Sequence, residues 1–137
     1  MIIVSACLAG IRCRYDGAEK PCAKVVRLVE DGKAIPVCPE QLGGLPTPRV
    51  PAERKGNKVI RKDGVDVTEQ FNRGAQEALK IAKMVSARRA ILKARSPSCG
   101  AGQTYDGSFT GKLIDEDGIF AHLCKDNGIE VLTEEEI

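Results

Sequence analysis

Three of the six cysteines in this chain share a local address. Cys7 follows the apolar run Ile2-Ile3-Val4, Cys38 follows Ala34-Ile35-Pro36-Val37, and Cys99 follows Ala90-Ile91-Leu92. Each then meets a break in regular structure: Leu8-Ala9-Gly10, Pro39-Glu40 and Gly100. If the runs are parallel strands of one sheet, their carboxyl ends open on one crevice, where open α/β sheets bind ligands. A lone cysteine reads as a small buried hydrophobe. Three at equivalent topological positions read as a shared ligand set, able to hold a metal or an iron–sulfur cluster with one coordination position left open.

Ligand chemistry narrows the choice without closing it. Structural zinc takes four ligands, usually with close Cys-x-x-Cys pairs, and the chain has none. Catalytic zinc takes three ligands and a water, but an all-thiolate set is unusual. His122 is the single histidine, so neither a His-rich site nor a Ser-His-Asp set can be assembled. Iron–sulfur clusters prefer thiolates throughout, and three thiolates on a four-iron cube leave one iron bare. The spacing favours the cluster and keeps zinc as the alternative. Cys124 falls on a helical apolar face and reads as core. Cys13 and Cys22 lie in the first loop, and either is a possible fourth ligand that would close the site for electron transfer.

Polar partners stand beside these thiols. Glu40 lies two residues past Cys38, placed by Pro39 for general acid–base work on a bound substrate. Ser96 lies three residues before Cys99 and can donate a hydrogen bond, relay a proton, or simply cap a turn. Ser5 and Ser98 offer the same chemistry with less support. Gly100-x-Gly102 lacks the third glycine of a dinucleotide fingerprint, and no Gly-Lys-Ser/Thr occurs, so no nucleotide cofactor is expected.

The elements that must position these groups follow from pattern. Short apolar runs at residues 1–6, 34–37, 90–94 and 129–133 read as strands. Pro36 is awkward for a central strand. Helical stripes cover residues 23–31, 68–86 and 119–125, with Gly32 and Asn127-Gly128 as stops. Residues 8–21 and 41–56 read as loops, and a Gly-rich loop runs from 100 to 111. Residues 58–60 and 65–67 flank Asp63-Gly64, a hairpin signal. The acidic residues 134–136 read as solvated. The alternation predicts an α/β fold, one domain over residues 1–137: a mostly parallel, Rossmann-like sheet with helices on both faces and a small β-hairpin insertion.

Composition sets the outer bounds. The chain is 42% hydrophobic and 29% charged, as a soluble globular protein is. No stretch is long enough to span a membrane, and residues 1–10 lack the basic region of a signal peptide. A cytoplasmic location is expected, where disulfides are rare. Aromatics make up 4% of residues and net charge is +2, so a large nucleic-acid surface is poorly supplied. The basic clusters Arg12/Arg14, Arg61-Lys62 and Arg88-Arg89 read as solvated faces.

Val4-Ser5-Ala6-Cys7-Leu8, Arg14-Tyr15-Asp16-Gly17, Cys38-Pro39-Glu40-Gln41-Leu42-Gly43-Gly44-Leu45, Pro48-Arg49, Asp66-Val67-Thr68, Ser96-Pro97-Ser98-Cys99-Gly100 and Tyr105-Asp106-Gly107 recur in order along nearly the whole chain. Together they resemble a family of small prokaryotic proteins long known only as domain of unknown function 523, whose characterised members are thiouracil desulfidases. The resemblance implies a [4Fe-4S] cluster on Cys7, Cys38 and Cys99, and catalytic roles for Glu40 and Ser96. It implies non-redox replacement of sulfur by oxygen in a thiolated pyrimidine such as 2-thiouracil. Cys13, Cys22 and Cys124 fall outside that pattern. Other readings are thiouridine desulfuration in RNA, possible but not favoured, a non-catalytic metal or electron-transfer module, and a zinc hydrolase. Oligomeric state is not legible.

Overall fold

The computed structural model describes all residues from Met1 to Ile137. Its centre is a four-stranded parallel sheet of β1 (Ile2–Ser5), β2 (Ala34–Val37), β5 (Arg89–Leu92) and β8 (Glu130–Thr133), in the order β2-β1-β5-β8. The other elements are α1 (Ala23–Glu30), α2 (Pro39–Leu42), a hairpin of β3 (Ala52–Lys55) and β4 (Lys58–Arg61), α3 (Thr68–Met84), two short strands β6 (Thr104–Tyr105) and β7 (Leu113–Ile114), and α4 (Ile119–Asp126). Short 3-10 turns follow β1 and β8. The expected α/β class, parallel sheet and hairpin insertion are all present.

The strands bury alternate residues to opposite faces, as their period of two requires. Ile3, Val37, Ala90 and Leu92 pack against α3 and α4. Val4, Ala34 and Ile91 face the other way, onto Val25 of α1 and the 3-10 turn after β1. Helices therefore cover both faces. Pro36 is accommodated because β2 lies at the sheet edge and pairs only with β1; its missing N–H faces no second strand.

Three sequence expectations change. Asp63-Gly64 does turn the chain, with the Gly64 N–H donating to the Arg61 carbonyl. Yet residues 65–67 add only the isolated bridge between Ile60 and Asp66. The hairpin partner of β4 is instead β3, through the two-residue turn Gly56-Asn57, where Gly56 has φ 62. A glycine at the first turn position matches the twist of paired strands, and that signal lay inside the stretch read as loop. The acidic turn after β8 is not simply solvated. The Glu134 carboxylate accepts the Ala94 N–H at 2.7 Å and pairs with Lys93 at 2.9 Å. Glu135 takes both terminal nitrogens of Arg95 at 2.9 Å. Finally, Arg14 is no surface cation: its side chain is 18% exposed and it faces the cavity described below.

The close seating of α2 on α3 positions the Cys38 end of the sheet. Gly43 and Gly74 meet backbone to backbone. A Cβ on Gly74 would lie 2.7 Å from the Pro39 carbonyl carbon and closer still to its oxygen. A Cβ on Gly43 would lie 2.9 Å from the Gln70 carbonyl carbon. Glycine in a helix interior costs about 1 kcal/mol relative to alanine; here it admits the segment that carries Cys38 and Glu40.

Candidate active site

The chain leaves β1 toward β2 on one side and returns as β5 on the other. The order reverses between β1 and β5, and a crevice opens beyond the carboxyl ends at such a point. A cavity of about 390 Å3 lies there. Cys7, Cys38, Cys99, Glu40 and Ser96 all line it. Cys13 and Ser5 do too. Cys22 instead precedes α1, Cys124 is fully buried in the core, and His122 sits exposed on α4 beside Asp126.

Each site residue is aimed by a local break. Cys7 sits in the 3-10 turn after β1, which ends at Gly10 with φ 94. Cys38 precedes α2 in extended conformation, and Pro39 starts that turn where its missing N–H does no harm. After β5 the chain doubles back. The Ser96 hydroxyl oxygen accepts the N–H groups of Ser98 at 3.2 Å and Cys99 at 3.0 Å. The Gly100 N–H donates to the Ser96 carbonyl at 2.8 Å. A Cβ on Gly100 would strike that carbonyl oxygen at 2.8 Å, so only glycine closes this turn and brings Cys99 under the crevice. Ser5 ties β1 to β5 by accepting the Lys93 N–H at 2.9 Å, and its hydroxyl also reaches the Cys99 thiol. Ser98 is buried, its hydroxyl has no partner, and it does not face the cavity.

The thiols are not equivalent. Cys13 reaches both Cys7 and Cys38, and as the group that keeps its proton it is pushed far up. Its hydrogen bonds lower Cys7 and bring Cys38 down to about 7. Arg14 and Lys93 add cationic support to Cys7. Burial pushes Cys99 well above the ordinary thiol range. Glu40 is raised by burial, and Arg49 partly offsets the rise.

Arg49 is the residue that sequence reading noted without a role. Its Nε donates to Glu40 Oε1 at 3.1 Å, with side-chain exposures of 7% and 18%. Its terminal nitrogens donate to the Pro46 carbonyl and Thr47 hydroxyl, both at 3.1 Å, and to the Cys13 carbonyl at 2.9 Å. One guanidinium thus joins the Glu40 carboxylate, the proline loop and the first cysteine loop. A cation among prolines was the available signal, but its partners lie 9 and 36 residues away.

The donor set fits a metal group that prefers sulfur ligands. Three thiols from three strand ends face one cavity flanked by Arg14 and Lys93, which offset thiolate charge.

The chain is similar to known proteins over nearly its whole length. A solved structure described as a [4Fe-4S]-dependent thiouracil desulfidase, TudS, superposes with a TM-score of 0.95 at 45% identity, covering 99% of this chain and 91% of that one. "Uncharacterized protein YbbK" of Bacillus subtilis (strain 168) is 44% identical, the match spanning 100% of this chain and 97% of that protein. The family model described as 2-thiouracil desulfurase matches residues 2–136, nearly end to end, and the chain belongs to that family.

Proposed function

We propose that residues 1–137 act as one domain that desulfurates a thiolated pyrimidine such as 2-thiouracil, without net redox change. The thiocarbonyl and water become a carbonyl and hydrogen sulfide. No electron is gained or lost, so no external reductant is needed. The observation that carries this reading is the meeting of three strand-end thiols, a half-buried carboxylate and a pinned hydroxyl in one cavity.

Cys7, Cys38 and Cys99 would hold a [4Fe-4S] cluster. Bound there with one iron free of cysteine, the cluster supplies a soft Lewis acid for the substrate sulfur. Glu40 offers Oε2 to the substrate side, because Oε1 is taken by Arg49. With its proton affinity raised, this carboxylate suits taking a proton from the attacking water near neutral pH and passing it to the departing sulfur. Ser96 already accepts two N–H bonds through its oxygen. Its remaining capacity is its own proton, which it donates to the developing oxyanion.

Cys13 in the same cavity is the one observation that favours a second reading, a closed four-thiolate cluster for electron transfer. Anaerobic purification followed by iron and sulfide analysis tests both. The proposed reading expects about four irons and four labile sulfides per chain, equimolar uracil and sulfide from 2-thiouracil without added reductant, and an intact cluster in Cys13→Ser. A colourless zinc protein, or a cluster lost in Cys13→Ser but kept in Cys7→Ser, refutes it.

A further inference from the structure

The chain has five aromatic residues, two Tyr and three Phe. Phe71 and Phe120 are buried in the cores. The other three, Tyr15, Tyr105 and Phe109, all line the thiol cavity. Phe109 is the least expected of them. It follows β6 in a loop outside the sheet, and its backbone has φ 57, in the left-handed region. A bulky residue there is strained, and such strain persists only where the surroundings enforce it.

The enforcing group is Glu53 of β3. Its Oε1 accepts the N–H of Gly107 at 3.0 Å and of Phe109 at 3.1 Å. Gly107, with φ 95, lies so close to the hairpin that a Cβ would meet the Lys55 side chain at 2.9 Å. The Asp106 carboxylate accepts the Ser108 N–H at 2.9 Å and tightens the same turn. Two elements distant in sequence are thus tied together so that an aromatic ring stands at the cavity while its backbone remains strained. Core packing does not require this, because Phe109 belongs to none of the buried clusters. Tyr15 brings a second ring from the first loop, with the Arg14 guanidinium 5.6 Å from its centroid.

We propose that Phe109 is the stacking face for the flat ring of the substrate, and that Glu53 is the positioning residue that holds it there. The cavity then recognises a planar heteroaromatic base through its ring, independently of the sulfur. This rests on the proposed desulfuration only for the identity of the base. An aromatic face under a nucleobase is worth roughly five- to a hundredfold in affinity, so removing it should act on binding rather than on the chemical step.

The test uses the anaerobically purified holoprotein and two readouts. One is the dissociation constant of uracil, which has the ring without the sulfur, by ligand-observed NMR. The other is the split between KM and kcat for 2-thiouracil. Phe109→Leu should weaken uracil binding and raise KM about tenfold, with kcat changed about twofold or less. Glu53→Ala should do the same, while Glu53→Gln, which keeps an acceptor oxygen, should restore both. Phe109→Tyr, which keeps the ring, should bind as the parent does and guards against a folding defect in the leucine variant. An unchanged uracil constant in Phe109→Leu, or no uracil binding to the parent, overturns the proposal. Phe109-dependent uracil binding without turnover of 2-thiouracil would uphold the ring site and refute the desulfidase reading.

Discussion

Replacing Gly74 by alanine tests how the fold places its chemistry. The residue lies in α3, touches no part of the cavity, and alanine is the better helix former. Helix propensity alone predicts a gain of about 1 kcal/mol. The structure predicts the reverse. The new Cβ would stand 2.7 Å from the Pro39 carbonyl carbon, 3.0 Å from the Gly43 nitrogen, and nearer to the Pro39 oxygen. These are backbone atoms and cannot rotate away. Restoring ordinary contact requires α2 to withdraw by on the order of 1 Å, and overpacking of this kind costs about 1–3 kcal/mol. The withdrawal carries Cys38 and Glu40, which flank Pro39, out of the crevice. A misplacement of about 1 Å in reacting groups lowers turnover about a hundredfold. Urea unfolding should therefore show a net loss, and anaerobically prepared protein should show reduced iron content and slow release of uracil. Gly43→Ala should behave alike, since its Cβ would meet Gln70 from the other side. Asn72→Ala, at an exposed position of α3, controls for propensity and should be neutral or slightly stabilising. A Gly74→Ala protein with parental stability and full turnover would refute the close-approach account.

Further expectations follow from the residues around the cavity. Arg49→Ala removes the cation that lowers Glu40, so the acid limb of the activity profile, which needs ionised Glu40, should move to higher pH; an unmoved limb would separate Glu40 from the proton transfer. The same variant should lose about 2 kcal/mol in urea, because its hydrogen bonds to the carboxylate and three other acceptors go with it. Glu134→Ala releases Ala94 and Lys93, and should cost about 1–2 kcal/mol and slow turnover through Ser96, two residues downstream; unchanged values would make the acidic turn decorative. Glu40→Gln should keep its iron and lose most of its turnover, whereas full activity with full iron would remove Glu40 from the catalytic set.

Much of the fold was written locally. Strands at 34–37 and helices from 23, 68 and 119 could be placed from apolar period and stop signals, because those signals lie within the elements themselves. The hairpin was legible only in part: Asp63-Gly64 and Gly56-Asn57 both turn the chain. β4 pairs along its whole length with β3 and meets residues 65–67 only at the bridge between Ile60 and Asp66. The solvated reading holds for the exposed Glu135 and Glu136 and fails at Glu134, whose partners Lys93 and Ala94 lie far back along the chain.

The sequence by itself determined the chemistry on offer. Cysteines at strand ends, Cys-Pro-Glu and Ser-Pro-Ser-Cys-Gly are short-range statements, and a strand end points at a crevice wherever the strands are parallel. Only the tertiary structure decided how that chemistry is tuned and held. It brought Cys13 to the same cavity as Cys7 and Cys38, clamped Glu40 with Arg49, and seated α2 on α3 through two glycines. It also turned Phe109 to the cavity with a carboxylate from a different hairpin. Each of these depends on a contact between segments far apart along the chain. Such contacts leave no periodicity in the sequence, because it is the packing of the sheet and its helices that brings the partners together.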